Sequence, residues 1–307
     1  MGVIGWFVTW PVESVNGYMV SDRAIHPKMS EQERILSIYP PEIKSYFESI
    51  FADRKQKYIA ECKRFTSIPL DPQFEKLDPQ TISYRKHRIL NRRLFPVYLR
   101  DSAYIEAGLG LYSALQPDVF FLYLRGIDFT QHSYWFHMKP EESLPPMNQG
   151  EIRDFHGIVE NYYIYVDEQI GRFLQIAPTD VTAMVISDHG FKTHIKGKPG
   201  NEHSVAYHER EGVYVFSGPD FKHGHEQNGF SIYDICPLVL NRYGLPVASD
   251  MAGEVPVELY SSLFPGRKSK RIKSYGPNDR NRDFNSIDTG ADREIIEQLK
   301  TLGYISE

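Results

Sequence analysis

Short apolar runs alternate along the chain with longer segments in which apolar residues recur three and four positions apart. Runs rich in β-branched and aromatic residues predict buried strands at 1–10, 119–124, 181–188 and 212–217. Helical spacing predicts helices from about residue 41 onward, and over 81–116, 151–174, 231–243 and 294–302. Buried strands that alternate with helices are typical of a mostly parallel sheet sandwiched by helices, so the pattern predicts an α/β protein.

The predicted elements form one main α/β domain over residues 1–265, in which residues 30–100 are expected to be a helical cap insertion. Residues 266–307 form a polar tail that ends in the short terminal helix. Basic residues cluster in this tail, at Arg267, Lys268, Lys270, Arg271 and Lys273. Such a cluster is typical of a solvated segment, and a phosphate- or membrane-binding patch is the alternative.

Composition excludes several classes of protein. With 41% hydrophobic and 24% charged residues in 307, the chain is not disordered as a whole. A net charge of -5 argues against a dedicated nucleic-acid-binding protein, which is usually basic. No apolar run approaches the roughly 18 residues of a transmembrane helix. Two cysteines, Cys62 and Cys236, are too few for a disulfide framework.

Aspartates and histidines stand at three of the predicted strand ends. Asp128 and His132 follow the second strand, Asp188 and His189 end the third, and His203 and His208 precede the fourth. Ligands of open α/β sheets bind outside the carboxyl ends of the strands, and Asp and His are ligands of zinc and similar ions. Each residue alone is more often a cap, a turn former or a chance occurrence, but the ordered set predicts a metal site. The remaining histidines lack this placement and are assigned to the surface or to the surroundings of the site, at 26, 87, 137, 156, 194, 223 and 225.

The residues around these positions resemble a known family. The segment Ser187-Asp188-His189-Gly190 resembles the metal-binding signature of the alkaline phosphatase superfamily, and the closest branch is the type I phosphodiesterase / nucleotide pyrophosphatase family. Residues 126–135 resemble the family's Asp-x-x-x-His segment, and residues 208–219 resemble its last metal histidine with the strand behind it. The similarity extends from Trp6 to the end of the chain.

The resemblance implies an alkaline phosphatase-like fold and hydrolysis of a small phosphate ester by two divalent metal ions, zinc or alternatively manganese. Asp128, His132 and His208 match the protein ligands of one ion. Asp188 and His189 match two ligands of the other. His203 is the rival of His208 for the late histidine, and the spacing to the Gly218-Pro219 turn favours His208.

The sequence departs from the family at its beginning. The family's nucleophile, a Thr or Ser, and an early aspartate ligand lie upstream of the segment that residues 5–11 resemble, and no residue here matches either. Thr9 is not expected to replace the nucleophile, because it falls inside the first predicted strand. We therefore expect an N-terminally truncated domain with impaired activity. The alternatives are a non-catalytic metal-binding remnant or pseudo-enzyme, and a sulfatase or phosphomutase branch of the same superfamily.

Overall fold

The computed structural model of the chain describes residues 1–71, 73–262, 264 and 270–276. These residues belong to two compact units. Unit 1 contains Met1–Ile176 and Phe191–His208, and unit 2 contains Ala177–Gly190 and the described part of Glu209–Ile287.

The helices agree with the segments predicted from about residue 41 and over 81–116, 151–174 and 231–243, and divide two of them, whereas the helix at 126–138 lies where the sequence analysis predicts none. They are α1 (Glu31–Ile35), α2 (Lys44–Glu61), α3 (Ile82–Arg93), α4 (Phe95–Leu115), α5 (Gly126–Met138), α6 (Gln149–Phe155), α7 (Ile158–Ile176) and α8 (Ile235–Arg242). The segment predicted over 81–116 is interrupted at Leu94, and that over 151–174 is interrupted at His156 and Gly157. The helix predicted over 294–302 lies outside the described residues.

The strands are shorter than the apolar runs that predict them. They are β1 (Gly2–Ile4), β2 (Tyr18–Val20), β3 (Ile38–Tyr39), β4 (Phe120–Leu122), β5 (Ala183–Ile186), β6 (Gly190–Lys196), β7 (His203–Glu209), β8 (Tyr214–Ser217), β9 (Val247–Ala248) and β10 (Arg271–Ile272). The first predicted strand, over 1–10, is therefore confined to three residues, and the chain leaves the sheet at Gly5, whose φ is 72°. Strand β2 lies within residues 11–27, where the sequence analysis predicts neither a strand nor a helix.

Unit 1 has a four-stranded sheet with the order β3-β2-β1-β4. Strand β1 runs parallel to β2 and β4, whereas β3 is antiparallel to β2. Strands β6 and β7 pair with each other in a separate two-stranded sheet. The sheet with parallel strands and the helices agree with the predicted α/β class.

Helix α4 supports both parts of the core of unit 1. On one side its Tyr104 packs with Ile4 of β1 and Phe47 of α2. On another side its Tyr98 packs against Phe65 and Tyr165, with ring centroids 5.1 and 5.2 Å apart. Aromatic side chains bury about 150–250 Å² each, so these rings supply a large amount of the apolar surface buried in the core of unit 1.

The predicted mostly parallel sheet includes the strands at 119–124 and 181–188; β4 of unit 1 is parallel to β1, whereas the prediction is wrong for β5 of unit 2. Within the described chain, β4 pairs with β1 alone, and β5 pairs with β8 alone and in the antiparallel direction. Val185 of β5 is 40% exposed, so this strand is not buried on both faces. An apolar run predicts that a strand is buried, but it does not determine the direction of the partner strand.

Part of the predicted polar tail belongs to unit 2. There β9 and β10 pair in parallel, which places residues 271 and 272 of the tail in a strand.

Across the part of the chain that the structure describes, no helix is both long and apolar enough to cross a bilayer.

Candidate metal centre

Helix α5 carries two of the predicted ligands on one face. Asp128 lies in its first turn rather than at a strand end, because β4 ends at Leu122 and α5 begins at Gly126. His132 follows one helical turn later, and residues four apart are neighbours on a helix surface. Its Nε2 atom is 3.3 Å from Oδ1 of Asp128. The Asp-x-x-x-His spacing therefore brings the two side chains together because it corresponds to about one turn of α5.

His208 of β7 completes this group. Its Nε2 atom is 3.1 Å from Oδ1 of Asp128 and 2.8 Å from Nε2 of His132. The side chains of Asp128, His132 and His208 are 15%, 15% and 12% exposed. Ligand atoms placed tetrahedrally at 2.0–2.1 Å around a zinc ion would lie about 3.3 Å apart. The three donor atoms therefore fit one divalent ion.

His203, the rival of His208, lies at the opposite end of β7. It begins the strand and is exposed, whereas His208 lies next to its end and is largely buried. The two residues are five positions apart, and an odd separation places side chains on opposite faces of a strand. The structure thus brings His208 to Asp128 and points His203 away from it.

Aromatic rings surround the imidazoles of this group. The ring of Phe191 meets that of His132 edge to face, with centroids 4.8 Å apart. The ring of Tyr207 stacks on that of His208 at 5.2 Å and an angle of 27°. Apolar surroundings limit the access of water and hold ligand rings in one orientation.

A group of hydrogen-bonded polar side chains, called the latch below, joins the end of α5 to β6. It consists of Trp135, Lys139, Glu142 and Thr193. Trp135 donates its indole N–H to Oγ1 of Thr193 at 2.8 Å and to Glu142 at 3.2 Å. Thr193 in turn donates its hydroxyl to Glu142, and Lys139 donates to the same carboxylate at 3.1 Å. The hydrogen bond from Thr193 is the main reason that the pKa of Glu142 lies below its ordinary value. The latch fixes the strand that carries Phe191 against the helix that carries His132.

The beginning of α5 is held by Asp101, a residue of α4 that the sequence analysis missed. Its carboxylate accepts hydrogen bonds from the backbone N–H of Gly126 at 2.8 Å, from that of Arg125 at 3.3 Å, and from the Tyr162 hydroxyl at 2.9 Å. Asp101 is fully buried, and burial raises its pKa. No side chain of α5 itself caps this end. Asp101 therefore acts as the N-terminal cap of α5 from a neighbouring helix, and an acid among the apolar residues of its own helix is its only sequence signal.

Gly126 is required by the close approach of Tyr162. A Cβ atom at position 126 would lie 2.0 Å from the Cε1, Cζ and Oη atoms of that ring. Real atoms do not approach so closely, so a larger residue would push Tyr162 away from Asp101. The start of the ligand-bearing helix thus depends on a glycine.

The predicted ligands Asp188 and His189 lie in unit 2, directly after β5. His189 donates its Nδ1–H to the carbonyl oxygen of Gly190 at 3.0 Å, because a carbonyl can only accept. This tautomer leaves the lone pair on Nε2, which lies 3.7 Å from Oδ1 of Asp188. Ser187 donates its hydroxyl to the carbonyl oxygen of His189 at 2.6 Å and tightens the turn. The local geometry suits both side chains to metal binding.

Three hydroxyl groups are the obvious candidates for a nucleophile, and each donates to a backbone carbonyl. Thr9 donates to Trp6 at 2.7 Å, and Thr130, which is fully buried, donates to Gly126 at 2.7 Å. Ser187 is engaged in the turn after β5. None of the three is oriented as a free nucleophile.

Two histidines assigned to the surface or to the surroundings of the site belong to the core instead. His87 is 1% exposed and accepts a hydrogen bond from the backbone N–H of Asp71 at 2.9 Å. His137 is 7% exposed and packs between the rings of Tyr134 and Phe155. Burial lowers the pKa of His137 to about 4, with a smaller effect from Arg93. The assignment failed because both residues lie on buried helix faces.

Fold and site together define a mixed α/β protein with an Asp/His/His group of the kind that binds a divalent metal ion. The family model described as "Type I phosphodiesterase / nucleotide pyrophosphatase" matches residues 18–223. The chain belongs to this family, which lies within the alkaline phosphatase superfamily, and the resemblance seen in the sequence is confirmed. Searches of curated proteins and of solved structures each gave no match.

Proposed function

We propose that the chain is a metal-dependent hydrolase of small phosphate esters. Family membership indicates phosphoester hydrolysis. The observation that carries the metal dependence is the convergence of Asp128, His132 and His208, whose donor atoms lie 2.8–3.3 Å apart within the matched residues. This donor set favours zinc, with manganese as the alternative.

Each group of residues has a distinct task in the proposed reaction. Asp128, His132 and His208 hold one ion, and Asp188 and His189 supply ligands for a second. When bound, such ions neutralise charge on phosphoryl oxygens and activate an oxygen nucleophile. Phe191 and Tyr207 restrict water around the histidines. We assign residues 30–100 to the cap that contacts the remainder of the substrate.

We expect turnover to be slow. No residue of the sequence matches the family's Thr or Ser nucleophile, and the hydroxyls of Thr9, Thr130 and Ser187 are engaged with backbone carbonyls. The same observation favours one alternative function, a metal-binding protein without catalysis. The family match favours the phosphodiesterase branch over the sulfatase and phosphomutase branches.

The test is hydrolysis of an activated aryl phosphodiester and the corresponding monoester, with added zinc, with added manganese and with a chelator. We expect slow turnover that requires the metal and is lost in Asp128→Asn. The matched control is His203→Gln, which changes an exposed histidine of the same strand as His208 and should keep the activity. Zinc binding without any turnover would select the non-catalytic alternative, and equal turnover in the chelator would overturn metal dependence.

A further inference from the structure

Helix α3 concentrates positive charge in a chain that is acidic as a whole. Its twelve residues, Ile82–Arg93, include no Asp or Glu and five cations, which are Arg85, Lys86, Arg88, Arg92 and Arg93. The whole chain has a net charge of -5, so this helix is a local exception. The buried residues of the helix are His87 and Leu90, whereas all four arginines are exposed.

The fold uses two of the five cations. Lys86 forms an ion pair with Asp154 of α6, with its Nζ atom 2.6 Å from Oδ2. Arg93 donates from Nη1 to the backbone carbonyl oxygen of Ser133 at 3.2 Å, which joins the end of α3 to α5. These two contacts hold α3 against the neighbouring helices of unit 1.

The other three cations, Arg85, Arg88 and Arg92, are called the arginine face below. Among the described residues, none forms an ion pair or a side-chain hydrogen bond with any of the three. They stand at positions i, i+3 and i+7, a spacing that places side chains on one face of a helix. Arg85 lies near the N-terminal end of α3, where the helix dipole does not favour a cation. Contacts within the fold therefore do not account for the arginine face.

Helix α2 shows the usual pattern of a solvated helix in the same unit. Lys44 pairs with Glu48 four positions later, at 2.6 Å. Lys57 pairs likewise with Asp53, at 2.5 Å. Such pairs of opposite charge stabilise an exposed helix, whereas Arg88 has like charges three positions before it and four positions after it, a spacing at which they repel. The arginine face is therefore better explained by an anion outside the chain than by contact with water alone.

The shape of the arginine face favours a flat anionic surface as its partner. The face lies on the convex outside of a helix and spans about 10 Å at a rise of 1.5 Å per residue. Ile82, one turn before Arg85, is 71% exposed and lies beside the same face. A peptide usually binds in a groove or at a sheet edge, and single-stranded nucleic acid stacks on exposed aromatic rings, whereas Tyr84 of α3 is partly buried. A bilayer surface requires neither feature and accepts both cations and an apolar side chain.

We propose that the arginine face is a docking surface for an anionic lipid bilayer. The three guanidinium groups contact the lipid headgroups, and Ile82 enters the boundary between headgroups and acyl chains. Each basic residue near an anionic membrane adds to the attraction through its charge. Because Arg93 links α3 to α5, docking would hold the ligand-bearing helix close to the membrane. The proposal does not depend on the proposed hydrolase function.

The first test is flotation of the full chain with vesicles of phosphatidylcholine alone, and with vesicles that also contain about 30% phosphatidylserine. The unaltered chain should bind the anionic vesicles and not the neutral ones, and binding should weaken as salt is added. The combined variant Arg85→Gln, Arg88→Gln and Arg92→Gln should lower the partition coefficient about a hundredfold, because each basic residue contributes roughly a factor of five. Equal binding to neutral vesicles, or no binding to anionic ones, would overturn the proposal.

A matched control separates the position of the charges from their number. The combined variant Lys55→Gln, Lys57→Gln and Lys63→Gln removes three exposed cations from the same unit and changes the net charge equally. It should lose far less binding than the variant of the arginine face. An equal loss in the two variants would show that net charge decides binding, and would overturn the assignment to α3.

Two further variants address the fold and the kind of contact. Replacing all three residues of the arginine face by Lys keeps the charges and should preserve binding, because the bilayer attracts either kind of cation, and a loss would overturn electrostatic docking. Ile82→Ser should leave unfolding in urea unchanged but weaken vesicle binding several-fold, and unchanged binding would overturn the insertion of Ile82.

A competing partner is tested directly. Binding of a fluorescent polyuridylate strand to the full chain is measured by anisotropy in the same buffer. It should be weaker than binding of the anionic vesicles. Tighter binding of the strand would assign the arginine face to nucleic acid and overturn the proposal.

Discussion

The Nε2 atoms of His132 and His208 lie 2.8 Å apart although 76 residues separate them. One histidine comes from α5 and the other from β7, and both atoms face Oδ1 of Asp128. A proton shared between the two rings could satisfy one pair of atoms, whereas a divalent ion would satisfy all three donors together.

Zinc binding should depend on this group. Asp128→Asn removes the negative charge of one ligand and His208→Gln removes the imidazole of another, so each should weaken zinc affinity by more than the roughly 10–100-fold typical of residues that only support ligands. Calorimetry with a competing chelator measures the affinity. His203→Gln, on the same strand, should leave it unchanged. A comparable loss in His203→Gln would show that the other face of β7 binds the metal.

Gly126→Ala should destabilise the protein, because its Cβ would collide with Tyr162 and break the contact of that ring with Asp101. We expect a loss of about 1–3 kcal/mol in the free energy of unfolding, measured in urea. The control is Gly171→Ala in α7, where nothing lies within 4 Å of the added atom. That change should stabilise the helix by about 0.5–1 kcal/mol. If the two substitutions changed the free energy of unfolding equally, the close contact between Gly126 and Tyr162 would be contradicted.

Stability should fall in mild acid because of His137. Folding lowers the pKa of this residue from 6.5 to about 4, so the unfolded chain binds its proton first. The contribution of neutral His137 is complete above pH 6.5 and is lost as the pH falls toward 4, by up to about 3 kcal/mol. His137→Phe should reduce this pH dependence, measured by urea unfolding at a series of pH values. His156→Phe, at an exposed position, should retain it.

Thr193→Val should loosen the latch between α5 and β6. The change removes the hydroxyl that accepts from Trp135 and donates to Glu142, so we expect a loss of about 1–2 kcal/mol in unfolding free energy. The pKa of Glu142 should rise toward its ordinary value, because the hydrogen bond from Thr193 is the main cause of its depression. Thr9→Val, which affects a single exposed hydrogen bond, should change stability by less than about 0.5 kcal/mol. If the pKa of Glu142 is the same in Thr193→Val as in the unaltered chain, the hydrogen-bonded link between α5 and β6 would be refuted.

Local spacing explains the part of the site that the sequence could predict. Asp128 and His132 are one helical turn apart, so any helix at this point places them on one face. The sequence favoured His208 over His203 through its spacing to the Gly218-Pro219 turn, whereas strand β7, which places the two side chains on opposite faces, is seen only in the structure. The apolar runs correctly located β4, β5 and β8, although each strand is shorter than its run.

The features that the sequence could not predict mostly depend on residues that are far apart in the chain. Asp101 caps a helix that begins 25 residues later, and nothing near it in the sequence identifies that partner. Strand β2 has only three residues, too few for an alternating pattern to be recognised. The antiparallel pairing of β5 with β8 depends on which strand lies beside it, which hydrophobicity does not encode.

The cap that Asp101 places on α5 has a consequence for hydrogen exchange. The first amide groups of a helix usually exchange rapidly with solvent, because they lack partners within the helix and open locally. Here the amide of Gly126 bonds to a carboxylate from α4, and Tyr162 of α7 closes over the same point. We expect this amide to exchange slowly, because it must first lose its hydrogen bond to a buried carboxylate that Tyr162 also contacts. The ligand-bearing helix should therefore be protected from its first residue onward.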